Sequence, residues 1–112
     1  MEQQEKEMLL IDGGISEQQV ESWKAKHHKV MIIEVVDGEE RHVGYFRRPT
    51  LEVMSAVSKL GKTDEVKSAE AMFDNCFLGG SHNLRQDAVL FMECTKRLGE
   101  LFNGCTSSLK NV

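Results

Sequence analysis

Proline is nearly absent from this chain: Pro49 is the only one in 112 residues. Proline lacks a backbone N–H and stops a strand ladder, so one sharp break between strand and helix is expected there. Long apolar runs are absent too. Runs such as Val30 to Ile33 fall far short of the ~20 residues that span a bilayer, so no membrane partner is expected. Positive charge is not in excess. Fourteen Lys and Arg face eighteen Asp and Glu, a net charge of -4, so nucleic acid is not expected as the main partner. Cysteine is sparse. Cys76, Cys94 and Cys105 are an odd number with no close spacing, which suggests free thiols in a reducing compartment. The opening residues MEQQEKEMLLIDGG show neither a basic segment nor a long apolar one, which adds to the expectation of a cytoplasmic protein.

What is present is organised around Arg41 to Leu60. Val43, Tyr45 and Phe46 read as a strand end. Pro49 and Thr50 form a corner, with Thr50 placed to cap a helix. Leu51, Met54, Val57 and Leu60 then recur every three residues, the mark of a helix with one apolar face. Upstream, Ile15 to His27 is a helix opened by a capping box, with Ser16 at N-cap and Gln19 at N3, and an Ile15–Val20 staple. Lys29 to Val36 is rich in β-branched residues and reads as a strand. Asp37-Gly38 turns it back into Arg41 to Arg47. Downstream, Gly61 closes the second helix, and Thr63 is expected to cap a third, Asp64 to Phe77. Gly79 and Gly80 are read as the turn into a fourth helix, running from Ser81 or Asn83 to about Phe102.

The expected fold is therefore α+β: an N-terminal helix, a two-stranded antiparallel hairpin, and a three-helix C-terminal part. Residues 1–14 are expected to be a flexible extension, 15–104 one domain, and 105–112 a tail. Met8 to Ile11 reads equally as a short strand or a helix end. A bare hairpin is marginal in water. One strand face, with Val30, Ile32, Val36 and Tyr45, is therefore expected to form a protein interface, and the chain to form a homo-oligomer.

Sites of chemistry are harder to find. The four histidines have no metal-ligand spacing, and no Cys-x-x-Cys, His-Glu-x-x-His or EF-hand pattern occurs, so no metal or cofactor is expected. His42 and the others are read as surface residues. Cys76 and Cys94 fall on apolar helical faces, where cysteine usually fills a core; a Cys94–His82 pair has no signature. Gly79-Gly80-Ser81 follows a helix and lacks the ending of a phosphate loop. Arg41, Arg47, Arg48, Lys59 and Lys62 are a candidate basic patch, read as a solvated strand end. No paired carboxylates stand out for acid–base work. The reading is of a protein that is not an enzyme.

Two segments carry a resemblance. Gly44-Tyr45-Phe46-Arg47-Arg48-Pro49-Thr50 runs a strand into an Arg-Pro-Thr helix start, and Phe73-Asp74-Asn75-Cys76-Phe77-Leu78-Gly79-Gly80 closes the third helix. In this order, after a Trp-containing helix and a Val/Ile strand, they resemble the small tail-assembly chaperones of tailed bacteriophages. The similarity covers roughly Ser16 to Leu109. It implies a protein of the bacterial cytoplasm that binds the long tape-measure protein, keeps its helices soluble and helps recruit tail-tube subunits. It implies no catalytic residues, so Pro49, Thr50, Gly79 and Gly80 are read as structural corners. The rival readings are a minor structural tail or virion protein and a small regulatory nucleic-acid-binding protein.

Overall fold

The computed structural model describes residues 8–103 and 105–112. The expectations for residues 1–7, for Gly104 and for the Phe102 side chain lie outside these. The fold is mixed α and β, but the sheet has four strands where two were expected. In chain order the elements are β1 (Leu9–Ile11), α1 (Glu17–Lys26), β2 (Val30–Asp37), β3 (Glu40–Arg47), α2 (Leu51–Gly61), α3 (Glu65–Cys76), β4 (Phe77–Gly80), α4 (Asn83–Gln86) and α5 (Ala88–Leu98). A 3-10 turn, Gly99–Asn103, follows.

The hairpin forms as expected. β2 and β3 pair antiparallel from Val30↔Arg47 to Asp37↔Glu40, leaving Gly38 and Glu39 as the turn. Gly38 has φ +60° and no non-glycine residue among those described is left-handed, which is the two-residue II′ arrangement. The hairpin's need for partners is met within the chain. β1 runs parallel to the first part of β3, Leu9↔Glu40 to Ile11↔His42. β4 runs antiparallel to its last part, Gly44↔Gly80 to Phe46↔Phe77. Leu9–Ile11 thus belongs to the sheet and not to a flexible extension. Likewise Gly79 and Gly80 are strand residues, not a turn between helices. Gly80 sits at φ +135°, and an added Cβ would lie 2.3 Å from the Val43 carbonyl oxygen, so only glycine lets β4 approach β3 there.

Alternation along the strands sorts the side chains onto two faces. Met31, Ile33, Val35, His42 and Phe46 face the helices. Val30, Ile32, Glu34, Val36, Arg41, Val43 and Tyr45 face the other way. On the first face the core gathers Ile33, Val35 and Phe46 against Met72, Phe73 and Cys76 of α3, Leu84 of α4, and Leu90, Phe91, Cys94 and Leu98 of α5. Phe73 is its aromatic centre. Its ring lies 5.3 Å from Phe46 edge-on, 4.9 Å from Phe77 stacked, and 5.7 Å from Phe91. α2 packs along α3 and buries no residue fully.

The caps explain where helices begin. The Ser16–Gln19 capping box is present as expected. Thr50 caps α2, its hydroxyl accepting from the Val53 N–H at 3.2 Å. Thr63 does not cap α3. Asp64 does, accepting from the Lys67 N–H at 3.0 Å, while the Thr63 hydroxyl donates back to Leu60. The expected single fourth helix is divided at Asp87, whose carboxylate accepts from the N–H groups of Val89 and Leu90 and starts α5 anew. Gly61 is the last residue of α2 and not a left-handed terminator. We expect Thr50→Ala and Asp64→Ala each to lower stability by about 1 kcal/mol in urea unfolding, and Thr63→Ala to change it by less than about 0.5 kcal/mol. Equal losses at Thr63 and Asp64 would contradict this assignment of the cap.

Candidate interaction face and a Glu–His–Ser chain

The four residues expected at an interface do share a face, because the β2–β3 register sets Ile32 beside Tyr45, Val36 beside Arg41 and Val30 beside Arg47. This is the sheet face away from the core. α1 lies over the Tyr45 end of it, with the Trp23 and Tyr45 rings 5.6 Å apart. An alanine Cβ at Gly79 would come within 2.8 Å of the Trp23 ring, so the bare backbone of β4 is what lets α1 sit down. The cover is partial. Tyr45 and Val30 are half-buried, but Ile32 is 58% exposed and Val36 53%. β1 adds Leu10, which the register sets in one row with Arg41 and Val36 and which is 46% exposed. The sequence reading missed Leu10 because three residues are too few to show a period.

Between α1 and the sheet lies a groove of about 480 Å³, lined by Ile15, Val20, Ile32 and Tyr45 with Glu17, Glu21 and Lys24 at its rim. Its floor is apolar and its edge charged, which suits an amphipathic segment of another protein.

The second arrangement was not foreseen. His42 was read as a surface residue, yet it is fully buried, because position 42 alternates onto the core face. Its Nε2 lies 3.1 Å from a Glu40 carboxylate oxygen and its Nδ1 lies 2.8 Å from the Ser81 hydroxyl. A carboxylate only accepts, so Nε2 carries the proton; in the neutral ring Nδ1 then accepts from the Ser81 O–H. The order Glu, His, Ser is that of a nucleophile with its base and orienting acid. Access decides against that chemistry. Ser81 is 1% exposed, and its backbone N–H is spent on the Val43 carbonyl at 2.8 Å. No substrate carbonyl reaches such a hydroxyl. The chain of bonds instead fixes the start of α4 to β3 and satisfies a buried imidazole.

The thiols match the sequence reading. Cys76 and Cys94 are buried and Cys105 is exposed. Burial pushes the Cys94 thiol up to about 12, and it pushes Cys76 up against a smaller opposing pull from Arg47. Neither is a nucleophile at neutral pH. His82, the imagined partner of Cys94, is exposed and lies against Phe77 instead. The candidate basic patch is divided. Arg41 and Arg47 stand near opposite ends of β3, and Lys59 and Lys62 lie at the far end of α2. The β2–β3 register brings a different set together: Arg47 and Arg48 meet Lys26, His27, His28 and Lys29 around a cavity of about 240 Å³. Scattered carboxylates also find a use. Arg85 bridges Glu70 at 2.7 Å and Asp74 at 2.8 Å, with Phe91 beneath its guanidinium, tying α4 to α3. Among the described residues no three His, Cys, Asp or Glu side chains gather to hold a metal ion, and no helix is long and apolar enough to cross a membrane.

Comparison with protein-family models, curated proteins and solved structures finds no match to this chain.

Two outcomes follow. Ser81→Ala leaves the His42 Nδ1 acceptor buried without a donor, and should cost about 1–3 kcal/mol in unfolding experiments. A raised thiol pKa means that the native state holds its proton where the unfolded chain releases it. The stability contribution is present below the ordinary thiol value and is lost as pH rises from about 9 toward about 12. The urea midpoint should therefore fall over that window, and Cys94→Ala should flatten part of the fall; an unchanged slope would place the titrating groups elsewhere.

Proposed function

We propose that this chain is a protein-binding module of the bacterial cytoplasm, a chaperone-like protein of phage tail assembly that holds segments of the tape-measure protein. The observation that carries the binding part is the open sheet face. Ile32, Val36 and Leu10 stay about half exposed beside a groove whose floor is Ile15, Val20 and Tyr45. Single exposed apolar residues are commonplace, but three on one sheet face beside a groove, interleaved with Glu34 and Arg41, suit a partner that is itself amphipathic. An amphipathic helix would lay its apolar stripe on Ile32 and Tyr45, with its polar flank meeting Glu17, Glu21 and Lys24. The identity of the client rests on the resemblance carried by the Gly44–Thr50 and Phe73–Gly80 segments. The Glu40–His42–Ser81 chain supports the same reading, because this arrangement with catalytic order has its histidine and its hydroxyl buried away from substrate.

The test is co-expression with a long helical tape-measure protein of a tailed bacteriophage. The client should stay soluble with the unmodified protein and precipitate with Ile32→Lys/Val36→Lys, whose substitutions fall at exposed positions and leave the fold intact. Equal protection by the double variant would remove this face from the account. Purified tails should lack the chain; its presence there would favour the structural-protein reading.

A further inference from the structure

We infer that β2 is a self-pairing edge, through which two copies of this chain join their sheets antiparallel about a two-fold axis at Ile33. The inference stands on the sheet edge and is independent of the client-binding reading.

β3 is paired on both sides: by β2 on one, and by β1 and β4 on the other. Among the described residues no strand covers the outer side of β2. That edge is eight residues long, whereas β1 has three and β4 four. Long open edges are usually blunted by proline, bulges or inward charges. β2 has no proline, and its pairing to β3 runs unbroken from residue 30 to 37. A groove of about 360 Å³ runs along it, lined by the four successive residues Met31, Ile32, Ile33 and Glu34, with Arg97, Glu100 and Leu101 as its wall. Residues of both sheet faces line it in succession, so the groove lies along the edge of β2 and not over one face.

The occupant follows from symmetry and charge. The II′ turn closes on the hydrogen-bonded pair Asp37↔Glu40, so Val36, Glu34, Ile32 and Val30 turn their N–H and C=O groups outward. A two-fold normal to the sheet pairs these residues with the same set of a second copy and keeps both helical layers on one side. Centring it at Ile33 sets Val30 against the second copy's Val36, and Ile32 against its Glu34. It also sets Lys29 of each copy beside Asp37 of the other, a non-hydrogen-bonded pair in which side chains come closest. Among the described residues Lys29 and Asp37 find no ion-pair partner. Moving the axis to Glu34 would set two carboxylates face to face, and moving it to Ile32 would leave Lys29 beside Val35. The charges select one register.

The test is sedimentation equilibrium at low salt together with a charge swap. The unmodified chain should be a dimer. Lys29→Asp or Asp37→Lys places two like-charge pairs across the axis and should weaken dimerisation about tenfold. Combining the two should restore it to within about twofold. In a Cys105→Ser background, Lys29→Cys/Asp37→Cys should oxidise to a closed, doubly bridged dimer; within one chain those positions are about 26 Å apart along β2 and cannot join. A monomer at millimolar concentration overturns the inference, as does a dimer that the swap fails to restore or that yields no bridged pair. Ile32→Lys separates the two proposals. It removes an apolar client contact yet sets a cation against the second copy's Glu34, so client protection should fall while the dimer persists.

Discussion

The structure depends on the pairing of β3 along both edges. A strand whose two sides are occupied has every backbone donor and acceptor within reach of a partner, and its side chains are then fixed to one face or the other. Phe46 is pinned into the core at 0% exposure, and His42, on the same face of the strand, is also at 0%. Tyr45 is pinned to the opposite face, where Trp23 meets it. A slip of one residue would send His42 into solvent and Tyr45 into the aromatic cluster around Phe73. The turn at Gly38 and the close approach at Gly80 hold that register from its two ends.

The two-sided pairing also explains which parts of the fold were legible in the sequence. The β2–β3 hairpin was, because Asp37-Gly38 demands a tight turn and β-branched residues flank it. The α1 capping box and the Thr50 cap were, because each needs only a short local pattern. β1 and β4 were not. Leu9–Ile11 and Phe77–Gly80 are too short for periodicity, and β4 ends in two glycines that read as a helix terminator. Both are strands only because β3 offers an edge to them, which is a long-range fact. Asp64 displaced Thr63 as the α3 cap because two capping residues stood in succession, and a carboxylate is at least as good a cap. Asp87 divided the last helix because its side chain satisfies two N–H groups that a continuous helix would have given to carbonyls.

The candidate sites were legible to a different degree. The apolar strand face could be read from alternation, down to Val30, Ile32, Val36 and Tyr45, and the structure adds Leu10 by way of β1. The Glu40–His42–Ser81 chain could not be read, since Ser81 is 39 residues from His42 and reaches it only through the β3–β4 pairing. Alternation did carry a partial signal. Position 42 shares a face with Phe46, so a histidine there had to be buried and to find partners. The same logic reassigned the basic residues. Val30↔Arg47 joins the Lys26–Lys29 stretch to Arg47 and Arg48, a cluster that no linear window contains.

The two faces of the sheet differ in how they are held. On the core face Ile33, Val35 and Phe46 pack under α3, α4 and α5, which bring Met72, Phe73 and Cys76, then Leu84, then Leu90, Phe91, Cys94 and Leu98 to the core. On the other face, among the described residues, Val43 is the one buried strand side chain, and α1 buries none. α1 is helical largely on local grounds, from its capping box and from Lys24 and Lys26 at its C-terminal end. Its hold on the sheet runs through Ile15 and Trp23 over the bare backbone of Gly79. Burial scales with apolar area removed from water, so the core face supplies most of the stability and the α1 face little. A binding surface is best placed there. A partner that adds contacts to Ile32 or Val36, or shifts α1 against Tyr45, disturbs none of the residues that keep the chain folded.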